Sequence, residues 1–540
     1  MSLASNHRQR ISTWRTRSAS LPLALICIVA ALSCILKARA QGIDSQYPSR
    51  SAILSQSDHS TSKGVHKHER RKMAGRTVLG YTSPWNPQGA ELVEEYRGKF
   101  DVVVPCWHTV DIVRAQKGGE AFYEVRGEMT EKDRQWKDRL QVAIRVGDLP
   151  GRNTSDTILS SAEQDTRLPP VKVLPRFALD RWTPEDLAEM LTKEEHLEAF
   201  SSAVMTVIEE AGYDGLVIES NAVWAMKGLV EHLAALLRAN DRQIGVVLPP
   251  LRTGHVDAEV EKTNRVVLHS IKTLGPIADF LHIMTYDYTG MNGQAFEDVY
   301  DTSSLPEGSP LAQDGVRTPG PNTPISWLEG NIEMLSGSLE TPGAQNIFQT
   351  NDMDHTEFVS QHGIADKLLF GVALYGYSYP VGWFETKSAS KHGVPRVPPP
   401  SPLVSKDNST SAQEAARAKA DKKDEELAHR AVLRFAGDAF TQRDLVGRLK
   451  VHKALIRLDE KSQEQFLDYV AVLPPSQQPD PKELPEGYNK GQPMASYYRA
   501  YFPSAHTISK RLSTVAELSP AAGVAFWDVG QAGRWLLEAI

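Results

Sequence analysis

The stretch Tyr213-Asp214-Gly215-Leu216-Val217-Ile218-Glu219-Ser220-Asn221 decides how this 540-residue chain is read. Gly215 to Ile218 is a continuous apolar run, as in a strand covered on both faces. Successive side chains along a strand alternate between its two sides. Val217, Glu219 and Asn221 therefore share one side, which turns polar towards the C-terminal end. An acid and an amide closing an otherwise apolar strand are candidates for ligand contact.

Seven further runs of this kind flank it, at 77–81, 101–107, 171–177, 244–248, 280–286, 368–374 and 523–527. Apolar residues recur at helical spacing over 195–211, with Gly212 placed as a C-terminal cap, and again over 223–237 and 260–274. Eight strands alternating with helices predict an α/β fold, a (β/α)8 TIM barrel occupying 75–540. An open doubly wound sheet is the alternative that periodicity leaves open. Two insertions interrupt the pattern. One, near 292–324, is rich in Gly, Pro and Ser. The other, near 380–492, falls between strands seven and eight and holds a proline-dense stretch (395–402), a charged helical run (412–430) and a second proline-rich break (474–485). There is no internal repeat and no metal-spaced cysteine or histidine cluster, so neither metal nor cofactor is expected.

Composition is that of a globular protein, with 41% hydrophobic and 24% charged residues. Residues 1–40 read as a signal peptide: Arg8, Arg10, Arg15 and Arg17, an apolar run over 21–36, then Ala38-Arg39-Ala40. The apolar run is shorter than the roughly 20 residues of a membrane span. An uncleaved signal-anchor is the alternative. Cleavage would remove six Lys or Arg and no acids, taking the net charge from −7 to −13. Such a surface disfavours nucleic acid and anionic membranes as partners. Cys27 and Cys34 would leave with the signal, and Cys106 alone would remain. Residues 41–74, polar and basic, read as a disordered leader. Asn153 and Asn408 head glycosylation sequons. The expected destination is secretion, with a lysosomal or other endomembrane location as a variant.

In a barrel, functional residues sit at the C-terminal ends of strands. There the fourth strand resembles the Asp-Gly-x-Asp-x-Asp-x-Glu motif of glycoside hydrolase family 18. Asp214-Gly215 matches its opening. Val217 stands at its second Asp, Glu219 at its third, and Asn221 at its catalytic Glu. The resemblance implies a family chemistry of substrate-assisted cleavage, in which the Glu protonates the leaving oxygen and the sugar's N-acetyl group attacks. Asn221 has no titrating proton and cannot act as general acid. Glu219 lies two residues back, about 6–7 Å along the strand. It could substitute only if substrate entered far deeper into the barrel. Its plainer role is a buried acid with a charged partner.

Met284-Thr285-Tyr286-Asp287 resembles the family's Met-x-Tyr-Asp motif, which implies that Tyr286 and Asp287 reach towards the central sugar. Trp527, closing the eighth strand, matches the family's Trp floor; core packing is its alternative. Tyr81, Trp107, Tyr375 and Tyr377 are candidates for lining the cleft, with packing equally compatible. The similarity runs over 77–540. It includes residues 122–127, Leu174-Pro175-Arg176-Phe177 with Trp182, residues 320–327 and residues 526–531. These stretches resemble a divergent branch of the family that also lacks the catalytic Glu and is regarded as saccharide-binding.

The first expectation is a non-catalytic, chitinase-like saccharide-binding protein with no catalytic residue. Its candidate contacts are Asp214, Glu219, Asn221, Met284, Tyr286, Asp287, Trp527, Tyr81, Trp107 and Tyr375, and its ligand a chitin-like oligosaccharide containing N-acetylglucosamine. The alternative is an active glycosidase with its acid relocated to Glu219. A third reading is a scaffold that binds a protein partner through the insertions.

Overall fold

The computed structural model describes residues 48–56, 64–114, 121–149, 161–252, 258–290, 320–336, 353–385, 437–452, 454–472 and 494–540. The chain divides into units 1–42 and 43–540, and all the described residues belong to the second. The signal segment, both sequons and the charged run 412–430 lie outside the described residues.

The eight barrel strands are Val78–Thr82, Val102–Pro105, a third in two pieces (Lys172–Val173 and Arg176–Ala178), Gly215–Glu219, Gln243–Leu248, Phe280–Ile283, Leu368–Ala373 and Gly523–Trp527. Each pairs in parallel with its neighbour, and the eighth pairs with the first through Val78↔Val524. The third strand closes the ring. Its first piece pairs with strand two through Lys172↔Val102, and its second with strand four through Phe177↔Ile218. Pro175, which has no N–H, sits between the pieces and accepts the Val217 N–H. An antiparallel hairpin, His108–Arg114 with Ala121–Arg126, extends this sheet beyond strand three.

Acids latch three of these pairs at the N-terminal ends. Asp101 accepts the Val78 N–H at 2.8 Å, Asp214 the Val173 N–H at 2.7 Å, and Asp279 the Ile244 N–H at 2.8 Å. Each acid precedes an even-numbered strand and ties the preceding one. Gly215 follows for steric reasons: its φ is +147°, and an added Cβ would lie 1.9 Å from Gln243 O.

The barrel interior is filled by Leu79, Tyr81, Val102, Val104, Cys106, Leu174, Val217, Val247, Phe280, Leu369 and Ala525. The other faces of the strands pack against the helices, among them Glu194–Ala211, ended by Gly212 at φ 64° as the spacing predicts, Lys227–Arg238 and Ala258–Leu274. Between strands seven and eight lies a five-stranded antiparallel sheet formed by Gly376–Glu385, Asp438–Phe440, Ile456–Asp459, Glu464–Val472 and Met494–Phe502. The sequence reading marks an insertion there but no sheet.

Part of the expected disordered leader is folded. Arg50–Gln56 is a helix with Ile53 buried, and Gly64–His68 a 3-10 turn. The basic composition that suggested disorder is matched by acids on the barrel. Arg70 forks onto Asp101 at 2.6 and 2.7 Å, and Lys67 pairs with Glu95. Likewise residues 320–324, read as the end of a loop-like insertion, are buried.

Candidate functional site

The C-terminal ends of the strands form a mouth walled by aromatic rings. Trp527, half-buried, lies 5.1 Å from the Tyr81 ring and stacks on Tyr286 at 6.5 Å and 18°. Tyr286 meets Tyr375 edge-on at 6.5 Å. Gly371 makes room for it, since an added Cβ would lie 2.7 Å from Tyr286 Cε1. Met284, also half-buried, joins this group to the apolar interior. Burial holds Tyr81, Tyr286 and Tyr375 well above the usual tyrosine pKa, so their hydroxyls stay protonated donors.

Polar groups stand at defined places among the rings. Asp287 keeps an exposed edge on the mouth, while its Oδ1 accepts hydrogen bonds from the hydroxyls of Tyr375 and Tyr377, the latter at 2.8 Å. Surrounding protein desolvates this carboxyl and raises its pKa, and the two hydroxyls oppose that rise. Glu219 Oε2 accepts from Arg176 Nη1 at 3.0 Å. The Arg176 guanidinium carbon lies 6.0 Å from the Trp527 ring centroid, within cation–π range. Asn221 is exposed in the turn after strand four. Below Glu219, Val217 is fully buried in the apolar interior. Tyr81 OH bonds His282 Nδ1 at 2.8 Å, and burial pushes the His282 pKa down to about 3.

The structure thus brings Glu219, Met284, Tyr286, Asp287, Trp527, Tyr81, Tyr375 and Tyr377 to one mouth, with Asn221 at its edge. It places two candidates elsewhere. Asp214 is at the opposite end of its strand, where Val173 N–H and Gln141 Nε2, both at 2.7 Å, occupy it. Trp107 packs outside the barrel interior, 6.0 Å from Trp136 and 6.1 Å from Tyr213. Arg176 and Asn322 belong to this region as well and are not among the residues singled out from the sequence. An arginine at the end of an apolar strand was the available signal for the first, and its place in the 320–327 stretch for the second. Trp85 and Trp224, also not singled out, stand 59% and 54% exposed after strands one and four, on the face that carries the mouth. Among the described residues no group of three or more His, Cys, Asp or Glu side chains is placed to hold a metal ion.

A closed parallel barrel with an aromatic floor and a Tyr–Asp pair at its mouth defines a (β/α)8 protein with a candidate ligand cleft at the C-terminal ends of its strands. The family model "Glycosyl hydrolases family 18" matches residues 121–532, and the chain belongs to that family. Among solved structures it is similar to a chitinase of Chromobacterium violaceum ATCC 12472, with 13% identity, a TM-score of 0.46, and coverage of 86% of this chain and 98% of that one. It is similar to the spore cortex-lytic enzyme SleL of Bacillus cereus, with 12% identity, a TM-score of 0.47, and coverage of 86% and 73%. It is also similar to the Group IV chitinase of Ostrinia furnacalis in complex with allosamidin, with 11% identity, a TM-score of 0.44, and coverage of 86% and 97%.

Proposed function

We propose that this chain is a non-catalytic, chitinase-like saccharide-binding protein. It holds chitooligosaccharides or related N-acetylglucosamine glycans on Trp527, Tyr286 and Asp287 without cleaving them. The observation that carries this reading is the Arg176–Glu219 ion pair beside an exposed Asn221. Glu219 is the one carboxylate the motif retains near its catalytic position, and Arg176 already occupies one of its oxygens. Val217 supplies no second acid beneath it. Aromatic faces with a few fixed polar groups are sufficient for binding a sugar.

Within the family, the chain's motifs support a place in the branch resembling chitinase domain-containing protein 1, the stabilin-1-interacting chitinase-like protein. Residues 1–40 support entry into the secretory route, ending outside the cell or in a lysosomal compartment. Titrating chitotetraose while following tryptophan fluorescence tests the binding reading. A saturable change that is lost in Trp527→Ala is expected. A change of the same size and midpoint in Trp527→Ala would contradict a site at this floor.

A further inference from the structure

Asp287 adopts the left-handed backbone conformation, φ 61°. A non-glycine residue keeps such a conformation when its surroundings hold it there. Asn322 is the main hold. Its Oδ1 accepts the Asp287 N–H at 2.7 Å, and its Nδ2 donates to the Tyr375 carbonyl at 3.4 Å. Its own carbonyl accepts the Tyr288 N–H at 2.9 Å. One fully buried amide therefore ties the loop after strand six to the end of strand seven. Next to it, Thr323 Oγ1 donates to the Thr285 carbonyl at 3.2 Å.

Asn322 is held in turn by charges from further along the chain. Glu464 Oε2 accepts the N–H groups of Asn322 and Thr323 at 2.9 and 3.2 Å. Arg511 Nη2 lies 3.2 Å from the same oxygen and donates to the Thr323 carbonyl at 3.0 Å. Both side chains are buried. Glu464 belongs to the inserted sheet and Arg511 to the helix Ala505–Leu518. A buried ion pair adds little stability over a well-packed apolar pair. What this pair supplies is two fixed acceptor contacts, from Glu464, and one donor contact, from Arg511, for one short backbone segment.

We propose that Asn322 is a positioning residue that fixes Asp287 and Tyr375 as one wall of the saccharide cleft, with Glu464 and Arg511 holding Asn322. The inserted sheet is then a working part of the binding site. The importance of the wall for saccharide rests on the function proposed above, whereas its positioning does not. In a ligand complex, Asp287 offers an acceptor whose direction is set by this backbone. A small displacement of Asp287 would misdirect it while leaving the barrel intact.

The test compares the full chain with Asn322→Ala and Glu464→Gln, and with Asp214→Ala as a control at the opposite end of the barrel. Two quantities are measured: hydrogen–deuterium exchange of peptides covering 284–288, and the Kd for chitotetraose. Asn322→Ala is expected to speed exchange at 284–288 by at least ~10-fold with peptides of strand four unchanged, and to weaken chitotetraose by at least ~10-fold. Glu464→Gln, which keeps an oxygen for the two N–H groups, is expected to show smaller changes in both. Asp214→Ala is expected to leave the Kd unchanged, with any faster exchange greater at strands three and four than at 284–288. Unchanged exchange at 284–288 in Asn322→Ala overturns the proposal, whatever the saccharide does. Exchange that speeds up equally in strand four overturns it too, since that is general destabilisation. If the unaltered chain binds no chitotetraose, the saccharide reading fails, and the exchange data alone decide the positioning of Asp287.

Discussion

Glu219 at the end of barrel strand four accepts a hydrogen bond from Arg176 on strand three at 3.0 Å, beside the Trp527 ring. Adjacent parallel strands bring the two together, and both stay partly open to the mouth, with 28% and 12% of their side chains exposed. The pair sets a fixed donor and acceptor beside an aromatic ring. A double-mutant cycle measures it directly. Arg176→Met, Glu219→Gln and the double variant, unfolded in urea, should show a coupling of about 1 kcal/mol, a value tempered by the exposure of Glu219. No measurable coupling would mean that the two do not constrain each other.

Restoring the family's acids one at a time should have unequal costs. Val217 is fully buried among apolar side chains. Val217→Asp places a carboxyl there and should destabilise by about 2–4 kcal/mol. Asn221 is exposed, so Asn221→Glu should fall within about 0.5 kcal/mol of the unaltered chain. Denaturant midpoints of the two variants check this, and equal effects would contradict the burial described.

Asp214 works in the barrel's construction. Asp214→Ala leaves the Val173 N–H without its acceptor and should cost about 1–3 kcal/mol. Its Kd for chitotetraose should stay within a factor of two, since one strand length separates it from the mouth. A clear loss of affinity in a folded variant would return Asp214 to the site.

Stability should fall on mild acidification. Burial lowers the pKa of His282 to about 3 and that of His68 to about 4, and lowers those of His108 and His452 as well. Below the ordinary value of 6.5 the unfolded chain takes up protons that the folded chain refuses, so stability is lost as pH drops through that value. Each histidine contributes a slope of up to about 1.4 kcal/mol per pH unit. The acids Asp287, Glu464, Asp459 and Asp528, whose pKa values are raised by desolvation, act in the opposite sense. The histidine contribution is read between about pH 6.5 and 5, just below the ordinary histidine value. Urea unfolding at both pH values should show a smaller loss for His282→Gln than for the unaltered chain, and an equal loss would rule out a neutral buried His282.

The barrel was legible because its strands are covered on both faces and so read as apolar runs. The mouth was legible where a short motif carries its residues, as at Met284 to Asp287 and Trp527. Arg176 was not, because one strand's sequence does not show which side chain of its neighbour will lie opposite. Trp107 and Asp214 were misplaced for a related reason. Residues at a strand's end or start can face the helices or the far end of the barrel, and alternation alone does not set that phase. The inserted sheet escaped because long polar and proline-rich stretches, 386–437 and 473–493, separate its first and last strands from the other three. The buried role of residues 320–324 escaped because a Gly-Pro-Asn-Thr-Pro run has the composition of an exposed turn, and its partners, Glu464 and Arg511 among them, lie far along the chain.

The proposed function is binding without cleavage. The most direct measurement incubates the full chain with chitotetraose at saturating concentration and follows products by chromatography, beside a Kd from the same preparation. A measurable Kd with no shorter saccharide above the buffer control, in the unaltered chain and in Glu219→Gln alike, is the predicted result. Release of shorter products by the unaltered chain, abolished in Glu219→Gln, would contradict it and make Glu219 the acid of a working glycosidase.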